Sequence, residues 1–381
     1  MEIRLFKPSI GKEELENIKD TFDTAWMGLG PKVSEFEREW TKYIGSATSV
    51  AVNSGTAALH LALAAFGFKP GAKVLVTGLT FVASATCILY NRLDPVFVDV
   101  DYETLSMSLT DMERKVTKDC VAIIVVHFAG HPAPMDKIMD FARTYKLKVI
   151  EDCAHCAGGE YLGKKLGTWS DIGCFSFEEK KAMTTGDGGM IVSHDPDLIE
   201  PLRARRWVGI DKDTWKRVAG YTKTGGADPR HWYYEVADLG YKYNMNDLAA
   251  AIGLAQLKKL DQMNCNKARL IGAYLEGIRE LACVQPLLPY NLEKSSYWIF
   301  GIRCPDRDKF ILHLKRNNIA TGVHYLPLQQ HPLFSQYHYD TPIIDEVWPS
   351  ILTLPLFADM TMIELNYVVE SLKQCAQNDM V

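Results

Sequence analysis

The sequence contains no run of about 18 consecutive apolar residues, so nothing in it is long enough to cross a bilayer as a single helix. It also has no excess of basic charge. Lys and Arg number 42 against 47 Asp and Glu, a net charge of -5, which argues against a general binder of nucleic-acid phosphates. No low-complexity tract and no short-period repeat is present. The opening residues, MEIRLFKPSIGKEEL, carry charges throughout and lack the basic-then-apolar order of a secretory signal. A cytoplasmic location with no membrane partner is therefore expected. Cysteine is present but unpaired in pattern: nine in 381 residues is an odd count that fits reduced thiols better than a disulfide framework. One C-x-x-C occurs, Cys153-Ala-His-Cys156, with no second pair to complete a zinc ligand set. Small buried cysteines are the ordinary reading of it, and no metal is expected. No G-x-G-x-x-G follows a first strand, which counts against a Rossmann dehydrogenase.

What is present has the composition of a large soluble fold, with 47% hydrophobic and 23% charged residues. Its length suits one large domain with a smaller one attached. An acidic helix candidate, GKEELENIKDTF, precedes a Gly-Pro turn. After that turn Ser34 reads as an N-cap, with Phe36, Trp40 and Tyr43 at helical spacing. Short apolar runs then alternate with helical patterns. SVAVNSG, KVLVTG, PVFVDVD, CVAIIVVHFAG, LKVIEDCAH, IGCFSF and GGMIVSH read as strands; TAALHLALAAFGF and MDKIMDFARTYK read as helices. Strands alternating with helices predict a mainly parallel sheet covered on both faces. From about Asp247 a long helical pattern leads into a smaller C-terminal α/β region. The expected division is residues 1–248 for the large domain, including the N-terminal helical segment, and 249–381 for the connecting helix and small domain.

Ligands of parallel α/β sheets bind outside the carboxyl ends of the strands, and several of these ends carry chemistry. At the first, Asn53-Ser-Gly-Thr-Ala57 turns from a strand into a helix. The backbone N–H groups of Thr56 and Ala57, with Gly55 permitting close approach, make either a phosphate site or an ordinary capped turn. A second end carries Glu151, Asp152 and His155, where a carboxylate can hold a protonated ring nitrogen or simply cap a turn. A third stretch is SFEEKKAMTTGDGG, residues 176–189. Ser176 offers a hydroxyl, the glycines permit a tight turn, and two adjacent lysines, Lys180 and Lys181, are either a desolvated nucleophilic amine with its neighbour or two solvated surface residues.

In this order, Ser-Gly-Thr, Glu-Asp-x-x-His and Ser-Phe-x4-Lys-x-x-Thr-Thr-Gly-Asp-Gly-Gly, the motifs resemble the DegT/DnrJ/EryC1/StrS family of sugar aminotransferases. The resemblance spans nearly the whole chain, through GPKVSEFEREW, TFVASA, VVHFAGHPAPMDKI, GYKYNMNDLAAAIGLAQL, HYLPLQQHPLF and TLPLFADMT. It implies a fold-type-I α/β scaffold: a large domain with a mainly parallel seven-stranded sheet flanked by helices, and a smaller C-terminal α/β domain. It implies pyridoxal 5′-phosphate as cofactor, passing through pyridoxamine 5′-phosphate. In the family the Schiff-base lysine stands five positions before the first glycine of the T-G-[DE]-G-G turn, which implies Lys181 rather than Lys180. The retained lysine favours transamination over the dehydratases of the family, in which it is histidine. It also disfavours a cofactor-binding regulatory protein without turnover.

The same resemblance implies further roles. Gly55, Thr56 and Ala57 with Ser176 would hold the cofactor phosphate, Phe81 would stack on the pyridine ring, Asp152 would pair its nitrogen and His155 its hydroxyl. Lys242 and Asn244 would reach across a homodimer to the neighbouring subunit's cofactor. The implied reaction moves an amine from L-glutamate to a keto group of a nucleotide-linked deoxysugar, with the 4-keto position favoured by GYKYNMND and HWYYEV. The amino sugar formed would serve a surface polysaccharide or a glycosylated secondary metabolite. Candidates for binding the sugar nucleotide are Arg230, His324, Tyr325 and His331, with Arg203, Arg205, Arg206, Lys216 and Arg217 as further cations near the lysine loop.

Overall fold

A computed structural model describes residues 1–210, 234–236, 238–293, 296–337 and 340–377. The strands expected from the apolar runs form one sheet. They are β1 (Thr48–Val52), β2 (Lys73–Thr77), β3 (Asp94–Val98), β4 (Cys120–Val126) and β5 (Lys148–Asp152). A small hairpin follows, β6 (Glu160–Tyr161) and β7 (Lys164–Lys165), and then β8 (Ile172–Ser176) and β9 (Gly189–Ser193). The seven-stranded order is β1-β9-β8-β5-β4-β2-β3. Only β9 is reversed, pairing antiparallel with both β1 and β8. Its reversal has a functional consequence. Because β9 runs back, the connection from β8 stays at the carboxyl edge as the loop 177–188, instead of crossing a face as a helix. The stretch with both lysines is thereby kept at the edge where ligands bind.

The strands are almost wholly apolar because both faces are covered, by clusters centred on Val76, Phe97 and Ile124 on one side and Leu75, Val125 and Val149 on the other. The helix Pro31–Ile44 begins one turn earlier than its sequence suggests. Gly30 is the N-cap and Pro31 the first helical residue, so Ser34 lies inside the first turn with its hydroxyl near the Gly30 carbonyl. Proline fits that first position because its missing N–H has no helical partner there. From this helix the fully buried Trp40 packs edge-on against Phe175 and Phe177, which supports the start of the lysine loop from behind.

The helix Asp247–Ile278, capped by Asn246 through the Ala249 N–H, runs from the large sheet to a second unit. There β10 (Gln285–Pro286), β11 (Phe300–Arg303) and β12 (Ile351–Leu354) form an antiparallel sheet, covered by helices Arg307–Arg316 and Met362–Gln377. The N-terminus joins this unit too. Ile3 bridges Ile319 and is buried among its apolar residues, an arrangement with no signal in the sequence. Among the described residues no helix is long and apolar enough to cross a membrane.

Candidate active site

The sheet edge gathers the motif residues. At the end of β1, Ser54 caps the helix Gly55–Ala65: its hydroxyl accepts from the Ala57 N–H at 3.1 Å, and its carbonyl from Ala58. The Ala57 amide, expected to face a phosphate, is engaged by Ser54 in this structure. Among the described residues, the Gly55 and Thr56 amides have no partner and point out of the helix start, as an anion site requires. A Cβ at Gly55 would lie 2.7 Å from Ser176 Cβ, and one at Gly189 would lie 2.4 Å from the Ser54 carbonyl. Glycine at these two positions lets the turn, the end of β8 and the start of β9 close on one another. The Ser176 hydroxyl, 3.4 Å from the Glu178 N–H, sits beside Gly55.

On β5 the period of two sends the paired carboxylates to opposite faces. Glu151 is fully buried and accepts from the N–H groups of Gly167, Trp169 and Ser170, the Ser170 hydroxyl and His127 Nε2. Burial alone would raise its pKa, but these donors outweigh it and hold the carboxyl below its usual value. Glu151 is a structural hub. Asp152 faces the other way and accepts from the Ser84 hydroxyl at 2.7 Å and the Ala154 N–H at 3.1 Å. Burial pushes its carboxyl upward against those two bonds and the Lys181 charge.

His155 is buried. Its Nε2 lies 3.2 Å from the Tyr325 hydroxyl, and its Nδ1 has no partner. Burial first, and then the Lys181 charge, hold its pKa far below the ordinary histidine value, so the ring is neutral. Phe81 is half exposed, with its ring 5.7 Å from that of Tyr325, leaving a face open to the cleft.

Within the loop, Lys180 is exposed and Lys181 is half-buried. Burial lowers the Lys181 pKa to about 8, with Glu178 and Asp152 opposing the fall and Lys180 adding to it. Its Nζ lies 3.8 Å from the centre of the Trp298 indole. The Trp298 N–H donates to the Lys180 carbonyl at 2.6 Å. Trp298 and Ser84 are the site residues that sequence reading missed. The only trace of Ser84 is a small hydroxyl residue near the start of the mostly apolar helix ASATCILY.

Of the expected substrate residues, Tyr325 is at the site, and His324 adjoins it. His324 Nδ1 is 2.8 Å from the Thr353 hydroxyl, and burial lowers its pKa to about 4, aided by Lys181 and Lys180. His331 lies farther along the same segment, at the start of the turn Pro332–Phe334. Arg230, Lys216 and Arg217 lie outside the described residues. Arg203 and Arg206 are committed to the buried Glu37, and Arg205 to Asp238 and the Ala64 carbonyl, so these three arginines are structural. Lys242 packs its amine on the Trp207 ring, and Asn244 Nδ2 bonds the Met245 carbonyl. Their segment pairs through its backbone with Asn53, next to the free amides. Cys153, Cys156 and His127 place their ligand atoms within 4.8 Å of one another. Both His127 nitrogens are occupied, Nδ1 by the Ala133 N–H and Nε2 by Glu151, which leaves no lone pair for a metal while these bonds hold.

Residues 8–373 match the DegT/DnrJ/EryC1/StrS aminotransferase family. This chain belongs to that family. It is 35% identical over 377 residues to the spore coat polysaccharide biosynthesis protein SpsC of Bacillus subtilis, covering 96% of this chain and 95% of that one. Among solved structures it is similar to the sugar aminotransferase CalS13 of Micromonospora echinospora, with 31% identity, a TM-score of 0.86, and coverage of 98% and 99%. It is also similar to the PLP form of the sugar aminotransferase Spr1654 of Streptococcus pneumoniae, with 25% identity, a TM-score of 0.88, and 99% coverage of both chains. Sugar aminotransferases of this family depend on pyridoxal 5′-phosphate. The site of this aminotransferase fits that cofactor: two unsatisfied amides at a helix start suit a phosphate, and an orphaned, buried His155 Nδ1 awaits an oxygen partner.

Proposed function

We propose that this aminotransferase moves an amino group from L-glutamate to a keto group of a nucleotide-linked deoxysugar, the 4-keto compound foremost. The product would be an amino sugar for a surface polysaccharide or a glycosylated secondary metabolite. The observation that carries the reading is a half-buried amine, Lys181, set at the same sheet edge as a buried carboxylate, a neutral imidazole and a helix start with free amides.

Each residue then has a task. The Gly55 and Thr56 amides and the Ser176 hydroxyl hold the cofactor phosphate. Phe81 covers one face of the ring. Asp152 keeps the ring nitrogen protonated, which the Ser84 and Ala154 bonds assist by favouring its anionic form. His155 binds the ring hydroxyl through Nδ1, oriented by Tyr325 at its other nitrogen. When bound, the cofactor supplies an electron sink. Lys181 would hold it covalently, and its amine would take the proton from Cα of the amino donor. With its pKa lowered to about 8, that amine can accept and return a proton near neutral pH.

His324, Tyr325 and His331, with Arg230, bind the sugar nucleotide. A homodimer completes the site, with Lys242 and Asn244 turned toward the partner's cofactor phosphate. The exposed Val236 and Leu239 beside that segment support an interface there, since a partner would cover them.

A panel of nucleotide-linked keto-sugars offered with L-glutamate, with products read by mass, tests the reading. Gain of an amino group on a 4-keto nucleotide sugar is expected. Glutamate turnover with no nucleotide sugar accepted would overturn the substrate class.

A further inference from the structure

Trp298 lies just before β11 in the second unit, yet it is buried at the lysine loop of the first. Its backbone N–H donates to the Ala129 carbonyl at 2.9 Å, which fixes it to the turn Phe128–Gly130 that follows β4. Its indole N–H donates to the Lys180 carbonyl, the oxygen of the peptide that joins Lys180 to Lys181. The ring lies within 2° of parallel to Phe6 at 5.3 Å and within 12° of parallel to His155 at 4.3 Å. The Lys181 Nζ approaches the same indole to 3.8 Å from its centre. One side chain therefore touches the backbone of the lysine loop, the lysine amine and the imidazole beside it.

Resting on Lys181 as the cofactor lysine, we propose that Trp298 is the positioning residue for that amine. Its N–H fixes the peptide that carries Lys181, and its ring holds the amine beside the loop whenever the amine is not bonded to the cofactor. An aromatic face attracts an ammonium more strongly than a neutral amine. Trp298 thus opposes burial, which by itself strips the proton from Lys181. The other groups facing the amine are Glu178 and Lys180 on its own loop, Asp152 at the end of β5, His155 after it, and His324 from the C-terminal segment. Glu178 and Asp152 favour the ammonium, and Lys180 disfavours it.

The test uses enzyme loaded with pyridoxamine 5′-phosphate, in which the lysine is free. Lys181 is labelled with acetic anhydride across a pH range and quantified by peptide mass. In Trp298→Leu the midpoint for Lys181 should fall by about 0.5–1 pH unit, the size of a partly desolvated cation–π contact. In Trp298→Phe, which keeps a ring but no N–H, the midpoint should fall by less than in the Leu variant. Amide hydrogen exchange in residues 178–184 should quicken in that variant, because the Lys180 carbonyl has lost its donor. An unshifted or higher midpoint in the Leu variant overturns the proposal. So does wild-type exchange protection in the Phe variant, which carries the test by itself should Trp298→Leu not fold. Borohydride reduction of wild-type enzyme loaded with pyridoxal 5′-phosphate separates the two readings. A pyridoxyl group away from Lys181 overturns the functional assignment, whereas one on Lys181 with an unshifted midpoint overturns only the role of Trp298.

Discussion

The Ser84 hydroxyl donates to Asp152 Oδ2 at 2.7 Å, and the Thr80 hydroxyl, in the bend before the helix that carries Ser84, lies 3.1 Å from the same hydroxyl. This pair supports the anionic form of a carboxylate that burial works to protonate. Ser84→Ala leaves Asp152 with the Ala154 N–H alone, so its pKa should rise further. The half-reaction with glutamate should slow about 10-fold, or about 1.4 kcal/mol, in line with the loss of one hydrogen bond to a charged group. Its acidic limb should also move to higher pH, as single-turnover spectroscopy across pH would show. Asp152→Asn should retain cofactor but slow by at least about 100-fold, roughly 3 kcal/mol.

Glu151 predicts a different outcome from its neighbour. Glu151→Gln should leave the cofactor spectrum intact and cost about 3–5 kcal/mol of stability, because a neutral amide cannot satisfy five converging donors. The folded-state pKa of Glu151 is depressed, so its contribution is present above the unfolded value near 4.5 and is lost as pH falls below it. Denaturant melts of wild type and variant should therefore differ widely at pH 7 and converge toward pH 3.

Lys267, on the long connecting helix, is buried with no hydrogen bond or ion pair among the described residues, and burial lowers its pKa to about 7. The unfolded chain binds this proton up to about pH 10.5, so between pH 7 and 10.5 stability rises with pH, and below 7 the full cost of a buried amine is present. Lys267→Met removes that cost and should stabilise the protein by about 2–4 kcal/mol at pH 7, with the gain shrinking as pH approaches 10. Thermal melts of the two proteins at pH 7 and pH 9.5 measure this directly.

The sequence made legible whatever is local. Strand runs ending in Ser-Gly-Thr, Glu-Asp and Ser-Phe located the sheet edge, because period and turn chemistry are written in consecutive residues. The order of these motifs, through the family resemblance, distinguished Lys181 from Lys180. Contacts between distant segments stayed hidden. Arg203 and Arg206 read as phosphate-binding cations because their partner, Glu37, lies on a helix far earlier in the chain. The engagement of Ala57 depended on the rotamer of Ser54, and Trp298 reaches the lysine loop only through the docking of the second unit on the turn that follows β4.

The central claim is that Lys181 carries pyridoxal 5′-phosphate and serves transamination. Borohydride reduction of the loaded enzyme, followed by proteolysis and mass mapping, tests it most directly. The account predicts the pyridoxyl group on Lys181, and its disappearance from that residue when L-glutamate is added before reduction. A pyridoxyl group on the exposed Lys180, or labelling of Lys181 that glutamate leaves unchanged, would contradict it.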